Sequence, residues 1–149
     1  MDALLKKGDN IRNIDLLMMK ADICYRCDKM FECEEIFLTI LQLKPPISKT
    51  ISIYLKLGYT YLNRKSWEDA KKIFEKACEH KYNCSIAWEG LGIACINLGL
   101  YEEAEEALNL TKIYNPLTKS TGEYEERINE YYGRENAKVY DSGRFELDS

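Results

Sequence analysis

Apolar side chains recur along this chain at spacings of three and four, and the stripes they draw come in pairs. Leu17, Ala21 and Cys24 mark one buried stripe, and Cys33, Phe37 and Ile40 a second, so two amphipathic helices open the pattern. Pro45-Pro46 ends the second helix, because proline lacks the amide donor and disfavours helix in the residue before it. The spacing then predicts a helix from about Ser48 to Leu62, a turn at Asn63-Arg64-Lys65-Ser66, and a partner helix from Trp67 to about Lys81. Tyr82 to Ser85 is the next connector, with Asn83 or Ser85 as N-cap of a helix from Ile86 to Asn97. Leu98-Gly99-Leu100 closes that helix, and Tyr101 to Tyr114 forms its partner, stopped by Asn115-Pro116. Ser120-Thr121-Gly122-Glu123 reads as a capping box opening a closing helix from Glu123 to Tyr132, with Tyr124, Ile128 and Tyr131 or Tyr132 on one apolar edge. The two ends are less regular. Met1 to Gly8 has the composition of a helix end, Asp9 to Asn13 is a polar break with Asp9 or Asn13 as N-cap, and Gly133 to Ser149 has no period and reads as a mobile tail.

Within this pattern one unit is written twice. Leu57-Gly58 returns as Leu91-Gly92, and Asn63, Glu68 and Ala70 return at the same offset as Asn97, Glu102 and Ala104. Tyr54 matches Trp88, Trp67 matches Tyr101 and Phe74 matches Leu108, again without a slip of register. A third, degenerate copy begins at Ile14, with Ala21 at the glycine position, Cys33 at the alanine position and Phe37 at the bulky one. It needs three additional residues, Ser48 to Thr50, before the next unit starts. Similarity at one fixed period marks a stack of paired helices in which each unit buries its apolar face on the next. Gly58 and Gly92 fall inside helices, where glycine costs about 0.5–1 kcal/mol against alanine. Close approach by the second helix of the same unit, with Ala70 and Ala104 small on the facing side, is the expected reason.

With Leu57, Gly58, Tyr61, Ala70, Phe74 and Ala77 at its small and bulky positions, the unit resembles the tetratricopeptide repeat. The resemblance implies an all-α solenoid of three helix-turn-helix repeats with a C-terminal capping helix. Residues 1–13 are then a lead-in or the stump of a preceding helix, 14–118 three repeats (14–47, 51–84 and 85–118), 119–132 the cap and 133–149 the tail. The chain could be a fragment of a longer array.

Composition narrows the chemistry. A formal charge of -4 argues against a nucleic-acid surface, since that affinity rests on Lys and Arg neutralising phosphates. No apolar run approaches the ~20 residues needed to span a bilayer, and the N-terminus lacks a signal peptide's apolar middle, so a soluble cytoplasmic chain without membrane contact is expected. Cys24-Tyr25-Arg26-Cys27 with Cys33 is the sharpest candidate for metal or redox chemistry. It lies within a helix rather than at a helix start after a strand, and neither a second C-x-x-C nor a neighbouring histidine completes a zinc set. Cys24 and Cys95 also share one packing position of two units, so core thiols are expected, with no metal and no cofactor. His80, the one histidine, sits near a helix end where its terminal carbonyls are the expected partners. The run Glu102, Glu103, Glu105, Glu106 and the cluster Lys71, Lys72, Lys76 read as solvated faces, and Gly90-x-Gly92 lies in a helical pattern rather than a phosphate loop. No residue set points to an enzyme.

The resemblance implies instead a binding groove lined by the first helices, at the second, fifth, ninth and twelfth positions of each unit. Those positions are Asp15, Met18, Asp22 and Tyr25; Ser52, Leu55, Tyr59 and Leu62; and Ile86, Glu89, Ile93 and Ile96. Met18, Tyr25, Leu55, Tyr59, Leu62, Glu89, Ile93 and Ile96 form the expected partner-binding surface, suited to a helical or extended protein segment. Chaperone-adaptor members clamp a terminal carboxylate with Lys and Asn; Met18, Asp22, Lys56, Ile86 and Gly90 stand at those points here, so that clamp is absent. The stretch from Cys84 to Cys95, followed by Leu98-Gly99 and Glu102 to Leu108, resembles the last repeats of a cilia- and flagella-associated repeat protein of the axoneme. That implies a structural scaffold within a larger ciliary complex. A second resemblance, of the Cys24-Tyr25 to Phe37 segment, is to repeat subunits of the anaphase-promoting ubiquitin ligase.

Overall fold

The computed structural model describes the backbone of residues 2–147 and the side chains of residues 12–137. The described residues form seven helices and no strand: α1 (Asp2–Arg26), α2 (Met30–Gln42), α3 (Ile47–Asn63), α4 (Trp67–His80), α5 (Ser85–Asn97), α6 (Tyr101–Tyr114) and α7 (Gly122–Leu147). Each helix packs on the next in order, and α5 also touches α3 and α7, so the first helices of successive units lie side by side. This is the expected all-α solenoid of three helix pairs closed by a further helix.

The hairpin turn is the same in every unit. Asp28, Lys65 and Gly99, at one repeat position, all adopt left-handed backbone, with φ of 61, 59 and 78°. In each case the following amide reaches back along the chain: Lys29 N–H to the Cys24 carbonyl at 2.8 Å, Ser66 to Tyr61 at 2.9 Å and Leu100 to Cys95 at 2.9 Å. These bonds satisfy carbonyls that the helix end leaves open, and they fix the angle at which the second helix returns.

Beneath the turns lies the packing that the glycines serve. The Phe74 ring, fully buried, is clasped between Gly58 on α3 and Gly90 on α5, and a Cβ at either glycine would overlap it. One unit further on, a Cβ at Gly92 would stand 2.8 Å from Leu108 Cδ2. Close approach is thus the reason for the helical glycines. The facing group is the bulky residue of the second helix, while Ala70, Ala104 and Cys33 are fully buried behind it.

The ends depart from the expected boundaries. Helix α1 runs unbroken through Gly8 and the Asp9–Asn13 stretch; one glycine costs a helix only about 1 kcal/mol, and no proline interrupts its hydrogen-bond ladder. Helix α7 continues past Tyr132 to Leu147 in place of a tail from Gly133, for the same reason. Its first half is the expected cap: Ile128 is buried, Tyr131 stacks on Tyr101 with ring centroids 4.1 Å apart, and Lys112 Nζ lies 2.5 Å from Glu125 Oε1. Met1, Asp148 and Ser149, parts of the expected lead-in and tail, lie outside the described residues. Two caps also differ. Helix α5 starts after Cys84, with no side-chain cap bond from Asn83 or Ser85. Helix α7 starts at Gly122, with Glu125 N–H donating to the Thr121 carbonyl at 2.9 Å, and the Ser120 hydroxyl pairs with that of Thr118.

Two outcomes follow for stability. Gly58→Ala and Gly90→Ala each lower it by about 1–3 kcal/mol in urea unfolding, against the gain of up to ~1 kcal/mol that helix propensity alone would bring, and Phe74→Leu in the Gly90→Ala background recovers part of the loss. An unchanged midpoint in both single variants contradicts the clasp. Lys65→Gly, which removes a side chain from a left-handed position, raises stability by about 1 kcal/mol; a loss shows that the Lys65 side chain matters more than its backbone angle.

Candidate functional site

The first helices of the three units present a continuous face, and a recess in it lies between α1 and α3. Asp22, Tyr25, Phe37, Lys56 and Tyr59 line a hollow of about 260 Å³. Helical spacing makes this local: Asp22 and Tyr25 are three apart on α1, Lys56 and Tyr59 three apart on α3, so each pair projects from one side of its helix. Tyr59 rests edge-on against Phe74, with ring centroids 5.7 Å apart, so the ring that locks the units also supports the floor of the recess. Burial, with the negative charge of Glu89 next in weight, pushes the Tyr59 phenol up to about 12. It is therefore a neutral, rigid amphipathic surface. The Tyr25 hydroxyl accepts a 2.6 Å hydrogen bond from Asn63 Nδ2, which fixes the rim.

Two ion pairs seam α1 to α3: Lys49 Nζ to Asp15 at 2.6 Å and Lys56 Nζ to Asp22 at 3.1 Å. Between α3 and α5 the position matching the second pair holds Tyr59 and Gly90, so there the seam is apolar. Glu89 stands beside it on α5. Its charge raises the phenol pKa of both Tyr59 and Tyr124, which come from the flanking helices α3 and α7. Among the described residues no cation forms an ion pair with Glu89.

Of the expected surface residues, Tyr25 is exposed, and Met18, Leu55, Tyr59, Leu62, Glu89 and Ile93 are half-buried on this face or its margins. Ile96 is not: it is 2% exposed and belongs to the core. Helix α5 carries Ala87, Leu91, Gly92, Ala94 and Cys95 around most of its circumference and is enclosed by its neighbours, so its last turn has no free face. Tyr124, expected only on the apolar edge of the cap, also adjoins this face. It occupies the position of Gly90 one repeat later, and carrying the period into α7 is the signal that finds it.

The cysteines are packed rather than poised. Cys33 is fully buried and its thiol lies 3.3 Å from the Ala21 carbonyl; Cys24 and Cys95 each face an acid of the paired helix, Glu32 at 3.6 Å and Glu103 at 3.9 Å. Burial pushes the Cys33 and Cys95 thiols up to about 11 and that of Cys78 to about 12. These are protonated core side chains, the opposite of an activated thiolate. Cys27 is exposed. His80 faces the Tyr54 ring at 5.6 Å. Lys71 of the basic cluster bonds to Glu103 at 3.2 Å and Glu75 at 3.5 Å, within a solvated network of mixed sign. Among the described residues no three His, Cys, Asp or Glu side chains converge as a metal set, and no helix is long and apolar enough to cross a membrane.

Comparison with known proteins agrees with this architecture. The profile of the family described as the cilia and flagella-associated protein 70 C-terminal domain matches residues 2–121. The chain is 44% identical over 63 residues to cilia- and flagella-associated protein 70 of Macaca fascicularis and of Homo sapiens, a stretch covering 42% of this chain and 6% of each relative. The chain thus spans only a small part of these relatives' length. Among solved structures it resembles the Hsp90 co-chaperone Cns1 from Saccharomyces cerevisiae (delta69), with a TM-score of 0.81 and 17% identity over 95% of this chain and 46% of that one. The Arabidopsis OM64 TPR domain gives 0.74 at 16% identity over 81% and 98%. The first TPR of Spaghetti (RPAP3), bound to the HSP90 peptide SRMEEVD, gives 0.75 at 15% identity over 82% and 94%. At such identities the likeness is one of fold, and the fold is a stack of tetratricopeptide repeats.

The thiols and Tyr59 set an alkaline limit. From ordinary values of 9.0 for cysteine and 10.0 for tyrosine, all four groups are raised in the folded chain. The unfolded chain therefore holds fewer protons than the folded one at high pH, and stability, fully present below about pH 9, falls as pH rises towards about 12. The urea midpoint should drop steadily across that window, and a thiol reagent at about pH 8 should label Cys27 at once while Cys33, Cys78 and Cys95 react only on unfolding. Rapid labelling of Cys33 in the folded chain contradicts the packed-thiol description.

Proposed function

Because the chain belongs to the family of the cilia and flagella-associated protein 70 C-terminal domain, we propose that it is a non-enzymatic scaffold that holds a segment of a partner protein along its first helices, within an assembly of the ciliary axoneme. The observation that carries the binding reading is the recess between Tyr25 and Tyr59, walled by aromatic rings and floored by the buried Phe37. Rigid amphipathic rings offer a partner large contact area at low entropic cost.

The charge pattern supports a particular kind of segment. Asp22 stands 3.1 Å from Lys56 and offsets its charge, so the recess presents no net positive centre to a terminal carboxylate. Glu89 is half-buried and near enough to two tyrosines to raise the pKa of both. A carboxylate beside aromatic faces suits a lysine or arginine by ion pairing and cation–π contact together. The segment is therefore apolar or aromatic with a basic residue, opposite in sign to the acidic peptide of the Spaghetti complex. The packed, protonated cysteines and the solitary His80 support a scaffold over catalysis.

Tyr59→Lys with Ile93→Lys should cut retention of the tagged chain in isolated axonemes at least about tenfold while leaving helicity unchanged by circular dichroism. Equal retention of the variant overturns the groove assignment, and the absence of wild-type signal from cilia overturns the axonemal placement.

A further inference from the structure

The outer face of α1 carries an apolar stripe against which none of the described residues packs. Leu16, Met19 and Ile23, at helical spacings of three and four, are 59, 62 and 60% exposed. A single exposed leucine is ordinary; three aligned on one helix are a surface.

The repeat register says what such positions do elsewhere. One unit on, across the three-residue insertion, they become Ile53, Lys56 and Thr60 on α3; the next unit gives Ala87, Gly90 and Ala94 on α5, and the following one Thr121, Tyr124 and Ile128 at the start of α7. The first and last of each set are sealed: Ile53, Thr60, Ala87 and Ala94 at 0%, Thr121 at 2% and Ile128 at 4%. What seals them is the second helix of the unit before, as when Phe74 of α4 closes on Gly90 of α5. The face on α1 is this same docking face, without that helix.

Charge narrows the occupant. Arg12 lies in line with the stripe, and Lys20 and Arg26 flank it; all three are exposed, and among the described residues none is in an ion pair. The acids of this stretch, Asp15 and Asp22, are held by Lys49 and Lys56 of α3. A second copy docked through this face would set three cations against three, so self-association is disfavoured. Among the described residues the outer face of α7 bears Glu123, Glu126, Arg127 and Glu130, all exposed, so that face is no apolar match for the stripe.

We infer that the outer face of α1 is a docking site for an amphipathic helix with acidic flanks, supplied from outside this sequence and seated as the second helix of a preceding repeat would be. The site is independent of the groove. A synthetic stapled helix, with leucines at spacings of three and four and glutamates on both flanks, is titrated into the isotope-labelled chain and compared with the same helix flanked by lysines. Amide shifts should centre on Leu16 to Ile23, and the glutamate form should bind at least about tenfold more tightly, with the difference shrinking as salt rises. Binding should vanish in Met19→Glu with Ile23→Glu, exposed positions whose change leaves the fold intact, and should persist in Tyr59→Lys. Equal binding of the two helices, shifts confined to the Tyr25–Tyr59 recess, or a dimer of the chain alone that the double variant abolishes would each overturn the assignment.

Discussion

One aromatic ring holds two units together because both sides of it lack a methyl group. Phe74 belongs to α4, yet its ring lies against Gly58 of its own unit and Gly90 of the next, and it braces Tyr59 on the exposed face. Interiors packed to this density do not absorb an extra carbon by small adjustments; a side chain must leave its rotamer or a helix must move. The consequence is a fixed separation of α3 and α5, and from it the separation of the side chains that a partner would meet. The other units vary the theme. The first has Phe37 with Ala21 and Lys56 at the two glycine positions, and the third has Leu108 with Gly92 and Tyr124. Only the middle unit sets its ring between two glycines.

Part of this architecture is legible in the residues alone. The pairing of Gly58 and Gly92 with Phe74 and Leu108 repeats at a fixed offset, so the stack and the close approach can be read without coordinates. Gly90 cannot: its counterparts in the neighbouring units are Lys56 and Tyr124 rather than glycine, and only the position of the Phe74 ring explains it. At the ends, Gly8, Asp9 and Gly133 describe where a helix could stop, whereas the absence of proline lets it continue. Ile96 falls on the open face by its position within the repeat. Enclosure of α5 by its neighbours decides against it, and that depends on where in the stack a unit sits.

The candidate face is similarly uneven in legibility. Tyr25 and Tyr59, at the twelfth and ninth positions of successive units, meet in one recess between α1 and α3, and the three additional residues Ser48 to Thr50 are absorbed in the first turn of α3. What the linear pattern does not carry is the neutralisation of Asp22 by Lys56, or the way the charge of Glu89 reaches rings contributed by α3 and α7. These are relations between helices, and they set the sign of the charge that the face would welcome.

The two seams of the stack differ in kind. Between α1 and α3 the exposed contacts are lysine–aspartate pairs, each worth little and screened by ordinary ionic strength. Between α3 and α5 the contact is a buried ring wedged against bare backbone. The exposed contacts of the first seam therefore weaken as ionic strength rises, whereas the spacing of α3 and α5 answers to packing alone, like the fixed arm of a calliper.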